Sequence, residues 1–314
     1  MSAPLPHIPK AGIWCPAVTL YKDDQLDLEA QAKYFAYLAS TGLTGLVILG
    51  TNAEAFLLTS GERKSLIATA RRAVGPSFPL MAGCGAHSTA QTLENIQDAA
   101  EAGATYVLVL PPAYFGKATT PKVVRSFFAD VATQSPLPIV IYNFPGVCNG
   151  VDLDSDLIAE LGREHANIVG VKLTCGSVGK ITRLGASFTP AEFSTFGGQS
   201  DFLIGGLSVG SAGCIAAFAN VFPKIVVKIY DLYKAGKYQE ALELHGKAAI
   251  AESCCKLGIA ATKYAAALTS GKAAGIDDIV ERMVPRRPYE APSADVKKIV
   301  ESSLKDLLDV ELAL

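Results

Sequence analysis

Lys172 closes a short β-branched run, Asn167-Ile168-Val169-Gly170-Val171-Lys172-Leu173, and its setting suits covalent chemistry. Four to six apolar, β-branched residues between turn signals predict a strand buried on both faces, as in a parallel sheet. An amine delivered by such a strand is poorly hydrated. Desolvation disfavours its charged form, and a neutral lysine can attack a carbonyl and form a Schiff base. A lysine merely emerging into solvent at a strand end would show the same local pattern, so its companions decide. Three further stretches, Gly50-Thr51-Asn52-Ala53-Glu54, Pro111-Pro112-Ala113-Tyr114 and Tyr142-Asn143-Phe144-Pro145, also follow strand-like runs. Two phenols (Tyr114 and Tyr142), the Thr51 hydroxyl and the Lys172 amine can therefore converge on one mouth.

Other chemistries fit less well. The four histidines, His7, His87, His165 and His245, are far apart and lack i, i+4 pairing, which speaks against a metal-dependent mechanism. Seven cysteines without a Cys-x-x-Cys motif suggest neither a disulfide framework nor a zinc site. Cys148 and Cys175, near the functional stretches, read as small hydrophobes rather than nucleophiles. Gly206-Leu207-Ser208-Val209-Gly210 matches the nucleophile elbow of serine hydrolases, which would make Ser208 a catalyst. That elbow needs a strand before it and a helix after, whereas the pattern here runs the other way.

The elements that must position these groups follow a regular alternation. From Gly12 to about Leu232 we count eight rounds of strand and helix, with strands near Ile13–Thr19, Gly45–Leu49, Leu80–Gly83, Tyr106–Leu110, Ile139–Tyr142, Ile168–Lys172, Phe193–Phe196 and Gly213–Ala216. Leu28, Ala32, Phe35 and Ala39 have the spacing of a buried helical stripe. Thr59…Glu62 and Ser88…Gln91 have capping-box spacing, and Gly42, Gly75 and Gly103 sit where helices should end. Eight such units close most economically into a (β/α)8 barrel over 12–235, whose chemistry lies at the C-terminal strand ends. A doubly wound sheet would announce a Gly-x-Gly-x-x-Gly turn after the first strand, and none follows Thr19. We expect 1–11 to be a tail and 236–314 a helical appendage with helices around Tyr238–Cys254, Ile259–Thr269 and Ser293–Leu308.

In that order and on those strands, the turn Gly50–Glu54, the turn Tyr142–Pro145 and the strand Gly170–Lys172 resemble the Gly-Ser/Thr-Thr-Gly-Glu, Tyr-Asn-x-Pro and Gly-x-Lys motifs of a known family. This is the class I pyruvate aldolase family of dihydrodipicolinate synthase and N-acetylneuraminate lyase, and the likeness spans nearly the whole chain. It implies that Lys172 forms the Schiff base and that Tyr142, linked through Thr51 to Tyr114, shuttles protons. It further implies that Thr51 and Asn52 hold the pyruvate carboxylate, that Gly198 and Ile215 line the same pocket, and that no cofactor or metal is needed. Two subunits would pair, Tyr114 reaching into its neighbour, in a dimer of dimers.

Departures narrow the expected substrate. The family's turn glycine is Ala53, and Val147 stands where dihydrodipicolinate synthase has an arginine for its acidic aldehyde. Only half of the neuraminate lyases' acidic pair is present, as Ser200-Asp201, and Leu173 replaces the acidic residue usual after the lysine. The remainder, with Lys172-Leu173-Thr174-Cys175-Gly176, resembles fungal aldolases acting on 2-keto-3-deoxy-L-galactonate. We therefore expect cleavage of a 2-keto-3-deoxy sugar acid or a 4-hydroxy-2-oxo acid to pyruvate and an aldehyde. Condensation of pyruvate with aspartate semialdehyde is the alternative within the family, and a non-catalytic barrel the alternative outside it.

Composition agrees with a small-molecule enzyme. Half the residues are apolar and 18% charged, the net charge is -2, and Lys and Arg are scattered. No basic stripe offers itself to nucleic acid or to a membrane surface. No apolar run approaches a membrane span, and the opening residues show no signal-peptide pattern, so a cytosolic location is expected.

Overall fold

The structure, a computed structural model, describes residues 7–314. Eight parallel strands form a closed barrel: β1 (Gly12–Pro16), β2 (Gly45–Ile48), β3 (Leu80–Gly83), β4 (Tyr106–Val109), β5 (Ile139–Asn143), β6 (Ile168–Leu173), β7 (Ser194–Gly197) and β8 (Gly213–Ile215). Each pairs with its sequence neighbours, and β8 closes on β1 through Gly12 and Gly213. All eight are buried on both faces, which is why they read as continuous apolar runs. The first six residues of the expected tail lie outside the described residues.

The barrel interior is filled by side chains, with Trp14 edge-on to Tyr106 and Phe196 at ring-centroid distances of 5.9 and 6.2 Å. Lys10 and Pro9 seal this end: the Lys10 carbonyl accepts from the Trp14 indole, and the Pro9 carbonyl from the Ser194 hydroxyl. Outside the strands lie α1 (Leu28–Ala39), α2 (Ser60–Val74), α3 (Thr89–Glu101), α4 (Pro121–Gln134), α5 (Ser155–Glu164), α6 (Val178–Ser187), α7 (Leu203–Leu207) and α8 (Pro223–Lys234). Thr59 and Glu62 form the expected capping box, whereas at Ser88 only the serine half forms, its side chain accepting from the Gln91 N–H.

Two local expectations need correction, and one element is new. The predicted first strand, Ile13–Thr19, stops at Pro16, because Val18 N–H donates to Asn220 and Leu20 N–H to Gln31 instead of a strand ladder. The buried face of α1 runs through Gln31, Tyr34, Phe35 and Leu38 rather than the predicted Leu28, Ala32, Phe35 and Ala39. Gln31 and Tyr34 can be buried because Gln31 bonds to the backbone of Val18 and Leu20, and Tyr34 to Asn220. A short hairpin, Tyr21–Lys22 with Gln25–Leu26, also precedes α1; Asp23 and Asp24 turn it at φ 50° and 64°, a backbone region aspartate tolerates.

Beyond α8 come α9 (Tyr238–Glu252), α10 (Ile259–Ala266), α11 (Ile279–Arg282), α12 (Ala294–Leu304) and α13 (Leu308–Ala313). A 3-10 turn at Ser253–Leu257 and a π turn at Ala267–Gly271 interrupt the longer predicted helices. Among the described residues no helix is long and apolar enough to cross a membrane.

Candidate active site

The site is built around one register. Ile139 pairs with Ile168 but Val140 pairs with Gly170, so Val169 is an extra residue in β6, and Tyr142 then lies directly opposite Lys172. A bulge of this kind re-aims the side chains after it. Gly170 makes the tight passage possible, since a Cβ there would lie 2.5 Å from the Ser194 carbonyl oxygen. Lys172 is 2% exposed, and its Nζ sits 4.2 Å from the centroid of the Tyr142 ring. No carboxylate pairs with it among the described residues, so the amine is held against an aromatic face rather than in an ion pair.

Tyr142 is likewise buried, and its phenol lies 3.3 Å from Thr51 Oγ1. The next residue anchors its loop: the fully buried Asn143 side chain donates to Asp152 and accepts from Leu153 N–H, and its carbonyl accepts from Thr174 N–H. Thr51 begins a 3-10 turn, Thr51–Ala53, after β2. Asn52 is half-buried in that turn, and its side chain has no hydrogen-bond partner among the described residues. Ala53 in place of the family glycine is tolerated, because the left-handed position of the turn, at φ 58°, falls on Glu54 and not on Ala53.

Glu54 is where sequence reasoning stopped short. Its carboxylate is buried; Oε1 accepts from Lys263 Nζ at 2.6 Å and Oε2 from Arg286 N–H at 2.7 Å. The turn holding Thr51 and Asn52 is thus clamped to the C-terminal helices, with Thr19 Oγ1 fastening the Ala53 carbonyl from the other side. Burial pulls the Lys263 ammonium down to about 8, against the opposing pull of Glu54. Nothing near Lys263 in sequence signals its partner 209 positions away.

Gly198 follows β7 so closely that a Cβ would lie 2.1 Å from Thr174 Oγ1. That threonine hydroxyl, two residues past Lys172, is buried and has no hydrogen-bond partner among the described residues, a second feature the sequence did not single out. Ile215 is fully buried in the barrel interior, in the same cluster as Tyr142 and Phe196. Val147 is 45% exposed on the turn after β5. Tyr114 does not join the others within one chain: it is 72% exposed, its ring 5.9 Å from that of His87 and 5.3 Å from Phe115, and among the described residues no hydrogen bond links it to Thr51.

Below the β7 end, Glu252 accepts from Ser200 N–H at 3.1 Å and from its hydroxyl, while His245 Nε2 meets the Ser200 carbonyl at 2.8 Å. Burial raises the Glu252 carboxyl to about 7, although the Ser200 hydrogen bonds work against it. Burial likewise pushes the Cys148 thiol up to about 11, which suits a packed hydrophobe and not a nucleophile. Ser208 follows α7 and precedes β8, the reverse of a nucleophile elbow, and its hydroxyl donates to the Gly205 carbonyl. Among the described residues no cluster of three or more His, Cys, Asp or Glu could hold a metal ion.

The sequence profile of the dihydrodipicolinate synthetase family matches residues 10–307. The chain belongs to that family. Among its relatives, a Coccidioides immitis (strain RS) protein provisionally named as a mitochondrial 4-hydroxy-2-oxoglutarate aldolase is 69% identical, with 99% of both chains covered. An L-threo-3-deoxy-hexylosonate aldolase of Aspergillus niger is 34% identical, again over 99% of both. The crystal structure of a dihydrodipicolinate synthase family protein from Coccidioides immitis superposes with a TM-score of 0.93 at 65% identity, covering 99% of each chain. The family match covers the barrel and most of the helices after it, and the relatives named as aldolases show the enzyme class, a carbon–carbon lyase.

Proposed function

We propose that this aldolase works through a Schiff base on Lys172 and cleaves a 2-keto-3-deoxy sugar acid or related 4-hydroxy-2-oxo acid to pyruvate and an aldehyde. The observation that carries the reading is the buried Lys172, without a carboxylate partner among the described residues, opposite Tyr142, whose phenol meets the Thr51 hydroxyl. The amine attacks the keto carbon, water is lost, and the resulting iminium draws electrons from the bond between C3 and C4. As that bond breaks, the proton of the C4 hydroxyl passes to the Tyr142 oxygen while the phenol's own proton moves on to Thr51, and the aldehyde departs. The enamine left behind is protonated at C3, and hydrolysis of the iminium returns pyruvate and the free amine. Thr51 and Asn52 hold the carboxylate, a task suited to a turn that presents an N–H and a hydroxyl to one anion. Gly198 leaves room beside it, Ile215 walls the interior, and the reaction needs no cofactor.

The exposed Tyr114 reaches Thr51 of a second copy, so the working unit is a pair of chains, assembled as a dimer of dimers. Val147 supports a neutral aldehyde end, since no arginine stands there to bind an acidic one, as condensation with aspartate semialdehyde would need. A second reading, cleavage of 4-hydroxy-2-oxoglutarate, is favoured by the name of the 69% identical relative. Its compartment also differs from the cytosolic one expected here; fractionation of tagged protein distinguishes the two.

The test is covalent. Pyruvate with borohydride should attach one reduced adduct to Lys172, identified by peptide mass spectrometry, and none to the Lys172→Ala protein. An adduct on another lysine, or none at all, overturns the reading. Lys172→Arg should be equally inactive, because its guanidinium stays protonated and cannot attack. Pyruvate release from 2-keto-3-deoxy-L-galactonate and from 4-hydroxy-2-oxoglutarate, measured side by side, chooses between the substrates.

A further inference from the structure

A cavity of about 410 Å³ opens on the outer side of Thr51, between the β2 and β5 turns and the C-terminal helices. Thr51 is at once part of its wall and the partner of the Tyr142 phenol, so the cavity adjoins the group that handles the proton on the aldehyde oxygen. Most of the wall is apolar: Phe56, Leu57, Val147, Leu257, Ile259 and Pro285. Besides Thr51, its polar members are Tyr289, Glu290 and Glu54, and the last already has both carboxylate oxygens engaged by Lys263 and Arg286. No lysine, arginine or histidine is among the lining residues. An anionic tail entering here would lose its hydration, find no cation, and meet the Glu290 carboxylate.

Such a wall suits a chain of carbon and hydrogen. Small-ligand pockets begin at roughly 300 Å³ and are mostly apolar with a few placed polar groups, a description this cavity meets. Several of its apolar side chains are open to solvent, Phe56 at 61%, Leu257 at 51% and Val147 at 45% exposed, so an aldehyde tail would remove apolar surface from water on both partners.

Resting on the Schiff-base reading of Lys172, we propose that this cavity seats the tail of an apolar aldehyde and so gives the protein a further activity besides sugar-acid cleavage, the addition of pyruvate to aldehydes such as hexanal. The step balances without any oxidant or reductant. The enamine carbon derived from the pyruvate methyl group attacks the aldehyde carbon and forms one carbon–carbon bond. The electron pair of the aldehyde π bond moves to its oxygen, which takes a proton from Tyr142, and the proton that the pyruvate methyl gave up when the enamine formed restores the phenol. Water then hydrolyses the iminium, releasing a 4-hydroxy-2-oxo acid with an apolar tail and restoring the amine.

The experiment compares propanal, hexanal and glyoxylate as acceptors for pyruvate, with product quantified by mass spectrometry. A methylene in a hydrophobic pocket changes kcat/KM by roughly 10–200-fold, so even a partly open cavity should favour hexanal over propanal by at least about tenfold. Glyoxylate should be the poorest of the three. Leu257→Glu, on the wall and away from the reacting groups, should erase the hexanal advantage while propanal addition and pyruvate trapping stay within about twofold of wild type; Ile259→Glu should do the same. The proposal is overturned if no chain-length preference exists, if both wall variants keep it, or if propanal and hexanal rates fall together as the assembly dissociates, which would mark the cavity as subunit-contact surface. Borohydride trapping keeps the failures apart. An adduct at Lys172 without a chain-length preference sinks the cavity alone, whereas no adduct sinks the Schiff-base reading and this proposal with it.

Discussion

Removing the charge of Lys263 tests whether the clamp on the Thr51 turn is an energetic feature or an accident of packing. Lys263 and Glu54 have side-chain exposures of 0% and 2%, and their oxygen–nitrogen distance is 2.6 Å. Lys263→Met keeps most of the volume but deletes two hydrogen bonds, one to Glu54 and one to the Val284 carbonyl at 3.1 Å. It leaves a buried carboxylate with only the Arg286 N–H, and stripping one member from a buried pair destabilises by about 3–5 kcal/mol. Adding Glu54→Gln removes the stranded charge, so the double variant should recover more than half of that loss. The assay is chemical denaturation of wild type, both single variants and the double variant, analysed as a double-mutant cycle. Because the clamp fixes the turn that we assign to the pyruvate carboxylate, KM for pyruvate should rise several-fold in Lys263→Met while the adduct still maps to Lys172. If the single variant loses less than about 1 kcal/mol and its KM is unchanged, the clamp neither stabilises the fold nor positions the turn.

The Glu252 carboxyl, raised from 4.5 to about 7, makes a stability contribution that is present in acid and lost as pH rises between those values, because the folded chain then holds a proton that the unfolded chain has released. The loss is about 3 kcal/mol at 1.36 kcal/mol per unit; Glu252→Gln should therefore gain on wild type by that order between pH 5 and pH 8, and a gap that does not vary with pH would refute the assignment. Tyr142→Phe should slow turnover by roughly 10²–10⁴, the range for a positioned proton-transfer group, while pyruvate trapping at Lys172 survives. Mixing Lys172→Ala with Tyr114→Phe under conditions of subunit exchange should raise activity above the sum of the separate samples, since one hybrid site has both groups intact; exchange without gain would show that Tyr114 does not act across the subunit boundary.

The barrel was legible because each of its units repeats a local rule. Strands buried on both faces read as runs such as Tyr106–Val109, helices announce themselves through caps such as Thr59–Glu62, and eight repetitions leave few ways to close. Lys172, Tyr142 and Thr51 were legible for a related reason: each stands at or just past the end of its strand, and a barrel brings strand ends together whatever the loops do. What the sequence could not supply was everything set by contact between distant segments. The extra residue Val169 aligns Tyr142 with Lys172; Gly170 inside the run is a local hint of a bulge or a close approach, but which residue is the extra one is set by the pairing with β5. Glu54 is visible in its turn, but its partners Lys263 and Arg286 lie more than two hundred residues away, and an ion pair buried on both sides leaves no local periodicity. The same holds for Gln31 and Tyr34, whose burial is permitted only by acceptors and donors from other segments, and for the cavity before Thr51, whose walls come from four separated stretches of chain. Local chemistry determined which groups could react; tertiary packing decided what they face.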